Sequence, residues 1–219
     1  MTPSSEQVQA GQAVYTRRTL PLYDFVVLGV SNRFIWRCPT PRLEAHYERH
    51  LSANHLDVGV GTGYFLDRCR FPSPAPRVAL MDLNADTLAH AAQRIARYRP
   101  ARYRRNVLEP IAFADEPFDS IGINYLLHCL PGSIADKAVL FDHLKPLMKP
   151  GARLFGSTLL HGGVPRSPLA QGLMALYNRK GIFANQADDL DGLRHELERR
   201  FDEVTLEVVG CAALFSARS

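Results

Sequence analysis

A chain of 219 residues, 46% hydrophobic and 22% charged, is too apolar for a disordered segment and long enough to bury a sizeable core as one domain. A net charge of +4 and a pI near 9.0 admit an acidic partner without requiring one. Four scattered cysteines, Cys38, Cys69, Cys129 and Cys211, lack metal-ligand spacing, which excludes a zinc module and a small cystine-stapled scaffold.

The polar stretch 2–12 carries no signal-peptide pattern, and the longest apolar run, 25–30, is far too short to span a bilayer. The expectation is a cytoplasmic protein with free thiols and no transmembrane segment. Residues 1–14 read as a polar, flexible leader. The stretch 15–51 continues it with many aromatics: Tyr15, Tyr23, Phe25, Phe34, Trp36 and Tyr47. A helix is predicted over 40–51, with Thr40 as N-cap and Pro41 at the first helical position. Strand one is predicted at 55–60, followed by a helix over 63–70 and a loop stiffened by Pro72, Pro74 and Pro76. Strand two, 77–82, ends in Asp82. The helix 85–98 lines up Leu88, Ala91, Ala92 and Ile95 on one face and stops before Pro100. Strands three and four are expected at 101–107 and 120–125, and a helix over 134–147. Pro150-Gly151 then turns the chain into strand five, 153–160. After the turn His161-Gly162-Gly163-Val164-Pro165 come helical regions reaching 177 and spanning 187–201. The apolar stretches 204–209 and 212–217 close the sheet as an antiparallel pair through Gly210. Alternating strands and helices imply an α/β fold, a doubly wound, mostly parallel sheet with helices on both faces. Its ligand belongs beyond the carboxyl ends of the strands, at the switch point.

The most informative stretch is Leu56-Asp57-Val58-Gly59-Val60-Gly61-Thr62-Gly63-Tyr64. A buried-strand pattern runs into three alternate glycines and then into a helical pattern. Glycines so spaced tighten a strand-to-helix turn and let a ligand approach bare backbone. The following helix start offers free N–H groups. Asp82, closing the next strand, suits two ribose hydroxyls, since an ionised carboxylate only accepts. These residues point to a nucleoside-containing cofactor. A dinucleotide fingerprint fits poorly, because Tyr64 stands where its third small residue belongs.

The pattern D-x-G-x-G-x-G resembles motif I of the class I S-adenosylmethionine-dependent methyltransferases. Four further stretches resemble that family's motifs in the right order: Val78-Ala79-Leu80-Met81-Asp82-Leu83-Asn84, Asn106-Val107-Leu108, the run from Phe118 through Asn124 to His128, and Leu147-Met148-Lys149-Pro150-Gly151-Ala152-Arg153-Leu154. The resemblance implies a Rossmann-like, seven-stranded sheet with an antiparallel last strand, S-adenosyl-L-methionine as cofactor, and methyl transfer. It implies cofactor contacts at Asp57, Gly59, Gly61, Gly63, Asp82, Leu83, Asn106, Val107 and Asn124. Asn106 departs from the Asp usual in the third motif, though an amide oxygen can still meet an adenine amino group. Residues 1–51 resemble the family's helical lid, packed on a cofactor-binding domain of 52–219.

Methyl transfer from a sulfonium is an in-line displacement, so the protein aligns the acceptor, excludes water and, for some acceptors, removes a proton. His128, just past strand four, is the first general-base candidate; its alternative is a packed, hydrogen-bonded ring. His161 is either a second base or a polar loop residue, and Tyr23 a third candidate. Tyr15, Tyr23, Trp36, His128 and His161 are candidate walls of the acceptor pocket, or, for the lid aromatics, core filling. The aromatic lid favours a small, partly apolar or aromatic metabolite. A homodimer is compatible with this reading. A nucleic-acid or protein acceptor is disfavoured, because Asn124-Tyr125-Leu126-Leu127 replaces the expected tetrapeptide after strand four. A cofactor-binding cyclase or partner protein without methyl transfer is the remaining alternative. The arginine cluster Arg94, Arg97, Arg99, Arg102, Arg104 and Arg105 reads as a solvated helix end before a phosphate-binding patch.

Overall fold

The structure, a computed structural model, describes residues 24–219. Tyr15 and Tyr23, two of the expected wall residues, lie outside the described residues. Seven strands form one sheet in the order β3-β2-β1-β4-β5-β7-β6. They are β1 (Asn54–Val58), β2 (Arg77–Asp82), β3 (Ala101–Arg104), β4 (Phe118–Asn124), β5 (Met148–Leu159), β6 (Asp202–Val209) and β7 (Ala212–Arg218). β1 to β5 are parallel; β7 runs antiparallel to both β5 and β6, closing the sheet as expected.

The helices are α1 (Thr40–His50), α2 (Tyr64–Arg68), α3 (Ala85–Arg94), α4 (Ile134–Lys137), α5 (Val139–Leu144), α6 (Pro168–Arg179) and α7 (Leu190–Glu198). A wide, π-type segment, Asp24–Ile35, precedes α1. Local chemistry sets most starts. Asn84 accepts from the N–H groups of Asp86 and Thr87, Ser167 from Ala170, and Asp189 from Gly192. Ser133 and Asp136 form a capping box at α4. At α1, Pro39 rather than Thr40 is the cap residue, and Pro41 sits in the first turn.

Several predicted elements come out shorter or broken, among them the helix 85–98, which gives way after Arg94 to the 3-10 turn Ala96–Tyr98. β3 is an edge strand whose sole neighbour, β2, ends at Asp82 opposite Arg104. The chain beyond has nothing to pair with, so the strand stops at 104 rather than 107. The predicted helix 134–147 breaks into α4, α5 and the 3-10 turn Lys145–Leu147, where Pro146 has no N–H to continue an α-helical ladder. The helix expected over 187–201 begins only after Asp188, whose carbonyl instead accepts from His161 and Gly162.

Both sheet faces are covered. Leu56, Ile121, Leu154 and Phe215 pack against Phe141, Leu144 and Leu197 on one side. Val78, Leu80 and Phe155 pack against Tyr47, Leu66, Leu88 and Ala91 on the other. Each such apolar side chain contributes roughly 1.5–3 kcal/mol on burial. A third cluster, with Trp36, Leu43, Leu159, Met174, Phe183 and Cys211, joins the leader to α6 and the β6–β7 hairpin. The hairpin turn needs glycine twice over. Gly210 has φ +58, and a Cβ there would lie 2.2 Å from the Trp36 carbonyl oxygen.

Candidate active site

β1, β2 and β4 end side by side, and a cleft of about 760 Å³, counting its open mouth, lies beyond their carboxyl ends. Gly59, Gly61, Asp82, Leu83, Asn106 and Val107 line it, with Tyr125, Leu126 and Leu130 on the far wall. Six of the nine expected cofactor residues therefore share one cleft. A Cβ on Gly61 would meet no protein atom within 4 Å, so a side chain there would project into space open to a ligand. Gly63 lines neither this cleft nor its neighbour. Its Cβ would press on Ala91 at 3.1 Å, so its smallness serves the contact of loop with α3.

Asp82 stands at the cleft with its Oδ1 accepting the Asn84 N–H at 2.8 Å. Burial pushes its pKa up to about 6, against the opposing pull of the N–H groups of Asn84, Val60 and Leu83. Asn106 turns back on its own loop. Its Oδ1 accepts from the Leu108 N–H and its amide donates to Glu109 at 2.9 Å. That bond to Leu108 uses one of the oxygen's two lone pairs.

A second cavity of about 510 Å³ shares Gly59, Gly61 and Tyr125 with the first. Asp57 and Asn124 line it, as do Thr62, Tyr64, Phe65 and, from the leader, Leu28. Asp57 Oδ1 accepts from the Tyr47 hydroxyl at 2.9 Å. Asn124 Oδ1 accepts from Ser157, but its Nδ2 is buried without an acceptor among the described residues. A donor left so costs about 1–3 kcal/mol until an acceptor meets it.

Tyr125 stands between the two cavities in a left-handed conformation, φ +54, rare for a bulky residue. Its hydroxyl donates to Asn32 Oδ1 at 3.0 Å. Asn32 in turn donates to Thr40 Oγ1 at 3.0 Å, and Thr40 to the Leu28 carbonyl. The leader is thus tied to the end of β4 by polar links in a buried setting. Sequence reasoning did not single out Tyr125, Leu28, Asn32, Thr62 or Tyr64. Tyr125 directly follows Asn124, and that adjacency to a site strand was its one legible signal.

His128, His161 and Trp36 line neither cavity. His128 is 4% exposed, its ring edge-on to Phe183 with centroids 4.6 Å apart. Its Nδ1 accepts from the Leu159 N–H at 3.3 Å, which places the proton of a neutral ring on Nε2. Burial, aided by the Lys137 charge, brings its pKa down to about 3. His161 is partly buried, and desolvation lowers its pKa. Trp36 is 2% exposed and tilted against Tyr177 and Phe183.

Behind these residues lies a fully buried ion pair, Lys137 Nζ to Asp188 Oδ2 at 2.5 Å. It pins the loop entering α7, which also takes the His161 and Gly162 N–H groups on the Asp188 carbonyl. Of the arginine cluster, Arg94 and Arg97 both hold Asp67, and Arg104 donates to the Leu83 carbonyl. Arg102 and Arg104 stand exposed on the sheet edge, where charge deters pairing with another chain.

The sheet order and the ligand cleft at its switch point define a Rossmann-like protein for a nucleoside-containing cofactor. A family model described as a methyltransferase domain matches residues 56–154. The demethylluteothin O-methyltransferase of Streptomyces thioluteus is 41% identical, covering 97% of this chain and 92% of that protein. The physcion biosynthesis cluster O-methyltransferase of Aspergillus chevalieri is 34% identical, covering 98% and 97%. The DhpI–SAH complex shares the fold at TM-score 0.70 and 12% identity, over 99% of this chain and 98% of that one. The chain belongs to the class I S-adenosylmethionine-dependent methyltransferases. Among the described residues, no helix is long and apolar enough to cross a membrane.

Proposed function

We propose that the protein methylates a hydroxyl oxygen of a small, partly apolar metabolite. The observation that carries this reading is the pair of cavities meeting at Gly59, Gly61 and Tyr125. The residues present fit the cofactor in two parts. The larger cleft offers Asp82 for ribose hydroxyls, the apolar Leu83 and Val107 for the faces of a base, and Asn106 for its amino group. The smaller cavity offers a carboxylate, Asp57, and an unpartnered donor, Asn124 Nδ2, matching the ammonium and carboxylate of an amino acid. When bound, S-adenosylmethionine supplies an electrophilic methyl carbon. The chain's own residues hold its two ends, align the acceptor and keep water out.

In this reading residues 1–51 serve as a lid, with Leu28 its contribution to the cavity wall and the Tyr125–Asn32 bond its anchor. His128 packs on Phe183 and holds Leu159 rather than moving a proton, because burial makes its ring a weak base and the Nδ1 lone pair already accepts the Leu159 N–H. His161, partly buried just beyond β5 and outside both cavities, is the base candidate that remains among the described residues. The relatives' names favour an oxygen acceptor of specialised metabolism.

Incubation of the purified chain with methyl-labelled S-adenosylmethionine and a panel of phenols, enols and amines tests this. Label should enter a hydroxyl compound and disappear with Asp82→Ala. Label found in RNA or protein alone would overturn the reading.

A further inference from the structure

Beneath Asp57 runs a buried polar chain. Tyr47, on α1, is fully buried, its ring stacked on Phe65 at 5.3 Å and edge-on to Phe155 at 5.1 Å. Its hydroxyl lies 2.9 Å from Asp57 Oδ1 and 2.9 Å from His55 Nε2. His55 Nδ1 lies 2.8 Å from Ser120 Oγ on β4, which also accepts the Ser52 N–H at 3.0 Å. His55 is fully buried too, stacked on Phe155. Gly122 leaves room for this chain: a Cβ there would come within 3.1 Å of the imidazole and 3.2 Å of Asp57 Oδ1.

We propose that Tyr47 and His55 are positioning residues for the cofactor's amino-acid end. The hydrogen-bonded chain Ser120–His55–Tyr47–Asp57 fixes one oxygen of the Asp57 carboxylate and presents the other to the ammonium group. The inference rests on the reading that Asp57 meets that ammonium.

The direction of the chain follows from counting protons. A phenol has one proton, and a carboxylate only accepts, so Tyr47 donates to Asp57. Burial first, then the Asp57 charge, holds the Tyr47 phenol protonated, its pKa well above the usual value. With its proton so used, the Tyr47 oxygen can only accept from His55, which must carry a proton on Nε2. A ring with one proton then accepts at Nδ1 from the Ser120 hydroxyl. Reversing the sequence would set a Tyr47 lone pair against the Asp57 oxygen at 2.9 Å. The carboxylate therefore sets the imidazole tautomer, and the imidazole locks the phenol under the carboxylate. Tyr47 is held from both sides by aromatic rings, so Asp57 meets its ligand already oriented.

Two ligands separate a positioning role from a structural one. S-adenosylhomocysteine has the amino-acid end; 5′-methylthioadenosine has the same nucleoside without it. Calorimetry on the full chain should show Tyr47→Phe weakening S-adenosylhomocysteine about tenfold, as loss of a hydrogen bond to a charged group predicts. Methylthioadenosine binding should change less than twofold. Equal weakening of both ligands, or of neither, overturns the proposal. Asp57→Asn isolates the underlying reading. If that variant binds both ligands as the wild type does, Asp57 does not meet the ammonium and the inference falls with it. If Asp57→Asn discriminates and Tyr47→Phe does not, only the positioning role falls. Should Tyr47→Phe fail to fold, nitrogen-15 NMR of the wild-type chain decides: His55 must be the Nε2–H tautomer, and an Nδ1–H ring overturns the proposal.

Discussion

Asp82 is asked to do two opposed things. In its proposed role it must be ionised to accept from ribose hydroxyls, yet burial has raised its pKa to about 6. A ligand that prefers the ionised form pulls the proton off, so affinity must depend on pH near that value. Above 6 the free site is already charged and binding costs no proton. As pH falls through 6 the free site takes up a proton that binding must expel, and affinity should fall by up to about tenfold per pH unit. Calorimetric titration of S-adenosylhomocysteine between pH 8 and 5 should show this decline. Asp82→Asn should bind more weakly at pH 8 and show a flatter profile. Gly59, Gly61 and Asp82 were legible as residues of one cleft because residue type and strand-end position alone bring them there. Asn106 was legible in place but not in conformation, since its bonds to Leu108 and Glu109 depend on a turn that sequence does not announce. The buried chain through Tyr47 and His55 was not legible at all. It joins a helix to two strands, and neither residue carries a motif.

Among elements, the leader segment Asp24–Ile35 owes its place over the site to few bonds. The Tyr125 hydroxyl to Asn32 is a direct link to the strand end. Tyr125→Phe would leave the fully buried Asn32 oxygen short of a donor, a cost of about 1–3 kcal/mol. That penalty falls on closure of the leader rather than on the sheet. Hydrogen exchange should therefore accelerate in 24–35 and at the start of α1, while β1, β4 and β5 keep their protection. Exchange accelerated evenly throughout would show that Tyr125 supports the core instead. Strand ends marked by aspartate or glycine were readable at Asp82 and Gly210, whereas β1 stops at Val58, short of the predicted 60. The end of β3 was not readable, because it is set by where its neighbour stops. The left-handed backbone of Tyr125 was not readable either, for no local pattern calls for it.

On the scale of the whole molecule, stability should fall in acid, and the buried histidines are the reason. His128 titrates near 6.5 when unfolded and near 3 when folded. Between those values the unfolded chain binds a proton that the folded one refuses. The stabilisation is full above pH 6.5 and is lost as pH drops toward 3, roughly 3–5 kcal/mol in all. His50, lowered to about 4 by burial, acts in the same sense. Asp82, raised to about 6 by burial, acts in the opposite sense, since protonation relieves a charge held out of water. Urea unfolding from pH 8 to 4 should show a net loss. The difference between wild type and His128→Asn isolates the histidine: the variant should lose less stability over that range. If the two profiles run parallel, the ring is charged in the folded protein and its burial is not what it costs to protonate.

The contact between Gly210 and Trp36 has a consequence for how the protein is made. The Trp36 carbonyl receives the Cys211 N–H at 2.8 Å, and β7 slots between β5 and β6. The early leader therefore finds its seat against a turn that the ribosome builds 175 residues later, the spacing from position 36 to position 211. While the glycine loop can assemble on the nascent chain, the leader with its Leu28 beside that loop waits for the hairpin. A translating ribosome would carry a half-built enzyme with its cofactor cleft open and its apolar Trp36 cluster uncovered. That interval is when the chain is most exposed to chaperones and to aggregation.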